Sequence, residues 1–135
     1  MIIQPKVRNN LCMNAHPDGC AAEVSKQIEY IKEKGAFPGP KNALVIGSST
    51  GYGLASRIAL AFGAGASTLG VFFEKESTEK RPGTPGFYNN RAFEEAAVAE
   101  GLKAESINGD AFSHEIKSQV VELLKKEFGK VDCII

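Results

Sequence analysis

The sequence predicts an α/β fold of the doubly wound kind, a parallel sheet with helices on both faces. Three observations carry that expectation. From residue 42 onward, short apolar runs alternate with helical patterns as β-α-β-α-β-α-β. The run Thr68-Leu69-Gly70-Val71-Phe72-Phe73 is apolar without alternation, which suits a parallel strand covered on both faces. Between the first strand and the first helix of that series stands a glycine turn, Gly47-Ser48-Ser49-Thr50-Gly51-Tyr52-Gly53.

Composition sets the bounds. The chain has 135 residues, the size of one domain with a real core. Its 16 basic and 16 acidic residues cancel, and nothing forms the basic stripe that a nucleic-acid binder needs. No apolar stretch approaches the roughly 18 residues of a spanning helix, and the apolar start is too short for a signal peptide. We therefore expect a soluble cytoplasmic protein with neither nucleic acid nor membrane as partner. Three widely spaced cysteines, Cys12, Cys20 and Cys133, argue against a disulfide framework. Cys12, His16 and Cys20 stand at C-x3-H-x3-C, but a metal site would need a fourth ligand and usually tighter cysteine spacing, so no metal is expected. His16-Pro17-Asp18-Gly19 reads as a turn before a helix.

In chain order, residues 1–13 are mixed and read as a short strand or an arm. Val24, Ile28 and Ile31 recur at helical spacing over 21–34, and Gly35 ends that helix. Phe37-Pro38-Gly39-Pro40 is a rigid link into the first parallel strand. Tyr30 and Lys34 match Y-x-x-x-K, the acid–base pair of short-chain dehydrogenases. They precede the glycine turn, whereas that pair lies well after it, and such spacing is commonplace on an amphipathic helix.

The stretch from Asn42 to Ala55 reads as strand, turn and helix start. The first amides of a helix lack partners and the helix dipole is positive there, so the point attracts a phosphate. Gly47, Gly51 and Gly53 form G-x-x-x-G-x-G rather than the strict G-x-G-x-x-G. The roles still map: Gly47 for the sharp turn, Gly51 for backbone approach to a pyrophosphate, Gly53 for close seating of the helix. The plainer reading is a simple strand–helix connection. Leu54, Ala55, Ile58, Ala59 and Phe62 give an apolar helix, closed by Gly63 and Gly65. The second strand, 67–73, ends at Glu74, which follows Gly53 by 21 residues. An acid about 20 residues beyond the turn, at the end of the second strand, is where an NAD-binding domain holds the adenosine ribose.

Residues 76–89 read as a long polar loop leaving the same sheet edge. Lys75, Lys80 and Arg81 offer charge for a 2′-phosphate, but Glu74 repels one, which favours NAD(H) over NADP(H). A helix is expected over 90–100, stopped by Gly101, and a third strand over 104–108. Asp110, in the turn that follows, has two readings: an acceptor for the adenine amino group, or a residue that merely caps or precedes the next helix. Ser113 is a good N-cap for a helix running to Phe128, and 131–135 form a fourth strand. Counting these four strands alone, the expected order is 3-2-1-4, with the second half of the sheet absent. The expected domain is a single unit, residues 1–40 as arm and helix and 41–135 as the β-α-β-α-β-α-β series.

Several segments together resemble one family. They are Met-Ile-Ile-x-Pro at residues 1–5, His16-Pro17-x-Gly19-Cys20, Gln27-Ile28-Glu29-Tyr30, the turn at 47–56, Phe73-Glu74-Lys75, Gly86-Phe87-Tyr88-Asn89, and Ile107-Asn108-Gly109-Asp110-Ala111-Phe112-Ser113. The family is the NADH-dependent trans-2-enoyl-CoA reductases, also called V-type enoyl-ACP reductases, and the resemblance runs the length of the chain. It implies a Rossmann-like relative of the short-chain dehydrogenases and a role in fatty acid metabolism. The implied reaction is reduction of the C2–C3 double bond of trans-2-enoyl-CoA or enoyl-ACP. The family's cofactor contacts fall on Gly47, Ser48, Ser49, Thr50, Gly51 and Tyr52 for the pyrophosphate, Phe73 and Glu74 for the ribose, and Asp110 and Ala111 for the adenine. Its catalytic Y-x8-K pair has no counterpart, because Tyr30, Tyr52 and Tyr88 are followed nine positions on by Gly39, Ala61 and Ala97. The resemblance thus implies an N-terminal fragment, inactive alone; the alternative is a stand-alone nucleotide-binding module.

Overall fold

A computed structural model describes residues 3–12 and 14–135; Met1, Ile2 and Met13, part of the N-terminal stretch and its motif, lie outside the described residues. The N-terminal stretch forms a small antiparallel hairpin, β1 (Val7–Arg8) with β2 (Leu11–Cys12), turned by Asn9 at a φ of 54°. Then follow α1 (Pro17–Lys34), β3 (Asn42–Ile46), α2 (Gly51–Ile58), β4 (Ser67–Phe72), α3 (Pro85–Ala99), β5 (Ala104–Asn108), α4 (His114–Leu123) and β6 (Cys133–Ile134).

The main sheet is parallel throughout and runs in the order β5-β4-β3-β6. The chain's first parallel strand, β3, therefore lies inside, between its second, β4, and its last, β6. Register pairs Ile46 with Val71 and Phe72 with Asn108, so the carboxyl ends of β3, β4 and β5 finish side by side. β6 is shorter than expected, but the amides of Asp132 and Ile135 still bond to the carbonyls of Asn42 and Leu44, at 3.1 and 2.9 Å.

Side chains alternate across each strand, and the two faces take different cover. Val24 and Ile28 of α1, Leu54 and Ile58 of α2 and Phe93 of α3 form one buried cluster, while Ala43 and Val45 on the same face pack with Leu60 and Ala66. On the other face Leu44, Leu69 and Val71 meet Ile116, Val120 and Phe128 from α4 and the turn after it. Helices thus cover both faces. Among the described residues no helix is long and apolar enough to cross a membrane.

Two helix starts lie earlier than the sequence reading placed them. The first helix begins at Pro17 rather than 21, and the third at Pro85 rather than 90. Both carry proline at the first helical position, where its fixed φ suits the helix and its missing N–H costs nothing. The helix read as running to Phe128 does so, but its last turn, Leu124–Phe128, widens to π geometry, with the Gly129 amide bonding back to the Leu124 carbonyl at 2.8 Å. Ala59–Gly63 extend α2 in the same way.

Candidate functional site

At the end of β3 the chain turns at Gly47, whose φ of 81° is open to glycine and strained for other residues. The amides of Gly47 and Ser48 both bond to the Val71 carbonyl, at 2.8 and 3.1 Å, which hangs the turn on β4. Gly51 also has a positive φ, 54°. Gly53 answers to space instead: a Cβ there would stand 2.8 Å from the Gly47 carbonyl carbon and closer still to its oxygen. The start of α2 is therefore seated directly on the turn. The bond that closes the first helical turn runs from the Leu54 amide to the Thr50 carbonyl at 3.2 Å, and the Thr50 hydroxyl makes no capping bond. The amides just ahead of Leu54 consequently stand at an uncapped, positive helix end.

Glu74 follows the end of β4 and is gripped from several sides. Its backbone amide donates to Asn108 Oδ1 at 2.9 Å, and its carbonyl accepts from Asn108 Nδ2 at 3.0 Å. Its carboxylate accepts from Ser49 Oγ at 2.7 Å and from Thr84 Oγ1. Ser49 is itself held, since its carbonyl accepts from Asn89 Nδ2 at 3.1 Å. Strand β5, the glycine turn and the first part of α3 all converge on this one residue.

Asp110 stands on the neighbouring strand end and is held only locally. Its Oδ1 accepts from the Phe112 amide at 2.9 Å, and its carbonyl accepts from Ser113 N and Oγ at 3.0 and 2.8 Å. Ser113 caps α4, its hydroxyl oxygen accepting from the Ile116 amide at 3.2 Å. Between these features lies an open cleft of about 360 Å³ that Gly47, Phe73, Asp110, Ala111 and Phe112 help to line.

The structure therefore gathers the sequence-picked residues at one sheet edge, though not all in the same way. Gly47, Phe73, Asp110 and Ala111 face the cleft. Ser49 and Glu74 meet beside it. Thr50, Gly51 and Tyr52 are exposed on the turn, Tyr52 at 95%. Ser48 points inward: it is fully buried, its hydroxyl faces the Val71 carbonyl at 3.4 Å, and its amide is already bonded there. Tyr30 and Lys34 lie elsewhere, on the exposed side of α1, with the ammonium 5.1 Å from the ring centre. A second depression, of about 370 Å³, lies between the start of α1, the loop near Arg81 and α3.

Sequence reasoning missed three residues that build this corner. Asn108 and Thr84 hold Glu74, as above. Arg57 is fully buried beneath the turn and ties four elements together. Its Nε donates to Thr68 Oγ1 at 3.2 Å, Nη1 to Asn90 Oδ1 at 2.9 Å and Ser106 Oγ at 2.8 Å, and Nη2 to the Glu105 carbonyl at 2.6 Å. It also stacks over Phe93, 4.3 Å from the ring centre. Burial lowers its pKa to about 10, so it stays charged at neutral pH. The available signal was polar Arg57, Thr68, Asn90 and Ser106 at positions where the periodicity calls for core.

Comparison with known proteins bears on this site. Residues 2–79 match the family model described as the NAD(P)H binding domain of trans-2-enoyl-CoA reductase, and residues 81–135 match the trans-2-enoyl-CoA reductase catalytic region. Curated relatives include the NADH enoyl-[acyl-carrier-protein] reductases of Psychromonas ingrahamii and Teredinibacter turnerae. Each is 59% identical over the whole chain, which spans 34% of the relative. Among solved structures, the Treponema denticola trans-2-enoyl-CoA reductase in complex with NAD superposes with a TM-score of 0.92 at 57% identity, over 99% of this chain and 35% of that one. The Clostridium acetobutulicum trans-2-enoyl-CoA reductase in complex with NADH gives 0.94 at 45%, over 99% and 34%. The chain thus spans about a third of the length of the relatives it matches. The boundary between the two family models falls inside one sheet, since β5 and β6 flank β4 and β3. On the match over residues 2–79, the chain belongs to the trans-2-enoyl-CoA reductase family.

Proposed function

We propose that this chain forms the adenosine side of an NADH site in an enoyl thioester reductase. One observation carries the reading: the uncapped start of α2, behind Gly47 and Gly51, stands beside a carboxylate fixed at the end of β4. The amides ahead of Leu54 suit a pyrophosphate. With Gly47 and Ser48 amides committed to β4, that load falls on the stretch from Ser49 to Gly53. Phe73 and Glu74 take the ribose, and Asp110 and Ala111 the adenine, at the cleft that Phe73, Asp110 and Ala111 help to line and that Glu74 stands beside. The Glu74 carboxylate has about four acceptor sites, of which two are used by Ser49 and Thr84; the remainder suit a ribose diol and oppose a 2′-phosphate.

The NADH these residues would hold would supply hydride to C3 of a trans-2-enoyl-CoA or enoyl-ACP substrate in fatty acid metabolism. This chain's part is to bind and orient the cofactor. We read residues 1–135 as one nucleotide-binding unit; the packing of α1 against α2 and α3 supports counting the arm and first helix with it.

Calorimetry with NADH and ADP-ribose tests the reading. Comparable affinity for both is expected, since both present the same adenosine diphosphate. Absence of binding to either refutes it. With no Y-x8-K pair in its sequence, the chain alone is expected to leave crotonyl-CoA unreduced; NADH consumption above a no-protein control contradicts that.

A further inference from the structure

We propose that Thr84 is a positioning residue that sets cofactor choice by holding the Glu74 carboxylate, an inference that rests on the nucleotide reading above. Thr84 occupies the N-cap position of α3, where a threonine hydroxyl ordinarily accepts from its own helix's amides. Here it makes no such bond. Its Oγ1 instead donates to Glu74 and accepts from the Lys75 amide at 3.0 Å. The loop is closed by the Thr84 amide on the Lys75 carbonyl, also at 3.0 Å. A capping group is thus diverted from its helix to a carboxylate ten positions earlier in the chain.

The opposite side of the carboxylate is closed as tightly. Gly86, in the first turn of α3, is buried, and a Cβ there would stand 2.5 Å from Glu74 Cδ and 2.7 Å from Ser49 Oγ. Ser49 and Thr84 thus bond one carboxylate oxygen each, and Gly86 packs against the same group. A carboxylate with two acceptor sites taken by fixed hydroxyls presents the rest in one direction, which favours a vicinal diol over a phosphate. The segment between β4 and α3 then acts as the element that aims Glu74.

The test measures affinities of the chain for ADP-ribose and 2′-phospho-ADP-ribose by calorimetry, with circular dichroism to check folding. Glu74→Ala is expected to erode the preference for ADP-ribose. Thr84→Val, nearly isosteric, is expected to reduce the same ratio by about threefold to tenfold, the range for one ordinary hydrogen bond. Thr84→Ser is expected to restore it. In a Glu74→Ala background, Thr84→Val is expected to leave the ratio unchanged, which separates an effect through that carboxylate from one through the bond to the Lys75 amide. Gly86→Ala, which crowds the carboxylate from the other side, is expected to shift the ratio in the same direction and carries the test if Thr84→Val fails to fold. A ratio that Thr84→Val leaves intact while Glu74→Ala moves it overturns this inference alone. So does a Thr84→Val effect that persists without Glu74. A ratio unmoved by Glu74→Ala, or no binding by the unsubstituted chain, overturns the nucleotide reading and this inference together.

Discussion

The two acidic residues flanking the cleft are held in opposite ways. Glu74 is gripped by partners 10, 25 and 34 positions away, from three different elements. Among the described residues, the Asp110 carboxylate and carbonyl bond to groups two and three positions ahead. A side chain fixed by distant partners reports on the assembled fold, whereas one fixed by its own turn is shaped before the fold closes. The Glu74 wall is thus rigid only while α2, α3, β4 and β5 stay in register. The Asp110 wall needs only its turn and the cap on α4.

Breaking the first wall at its root has the largest expected effect. Arg57 links α2, β4, β5 and α3, the elements that carry the glycine turn, Glu74, Asn108 and Thr84. Arg57→Ala strands the buried Asn90 and Thr68 groups and opens a cavity, at an expected cost of about 3–5 kcal/mol. Denaturant unfolding followed by circular dichroism reads it. A loss below about 0.5 kcal/mol, as for an ordinary surface change, contradicts the role given to Arg57.

On the second wall the expected change is smaller. Ser113→Ala removes the N-cap of α4 and should cost about 1 kcal/mol. If the walls are as independent as the geometry implies, the Arg57→Ala and Ser113→Ala losses add in the double variant within about 0.5 kcal/mol.

The smallest effect is a pH dependence on the far side of β3. Asp132, just before β6, accepts from the amides of Asn42 and Lys41 at 2.9 and 3.1 Å. Those bonds hold its carboxyl below the ordinary value of 3.8. A depressed acid contributes stability above its unfolded pKa and loses it as pH falls through the folded one. Asp132→Asn is therefore expected to lower the melting temperature slightly at pH 7 and to match the parent once pH falls below the lowered pKa. A gap that stays constant across that range points to lost geometry rather than charge.

Much of the first wall's outline was legible in the sequence. Unbroken apolar runs marked β3 and β4, Gly47 and Gly53 marked the turn, and the spacing to Glu74 marked the strand end. Illegible were the grips on Glu74, because Asn108 and Thr84 come from elements whose contact depends on the sheet being built. The starts of α1 and α3 were misplaced for one shared reason. Pro17 stands in a stretch that reads as a turn and Pro85 in one that reads as a loop, and the same fixed φ and missing N–H serve either of these or a helix's first position. Arg57 broke an otherwise apolar helix, and only the fold shows that its partners lie 11, 33, 48 and 49 positions away.

Binding of adenosine diphosphate at the carboxyl edge of β3, β4 and β5 can be read residue by residue from amide chemical shifts during an ADP-ribose titration. Shifts are expected to concentrate on Ser49 to Gly53, on Phe73 and Glu74 and on Asp110 to Phe112, while Arg81, Arg91 and the depression they help to line stay silent. Shifts confined to that depression, or none at saturating ADP-ribose, would contradict it.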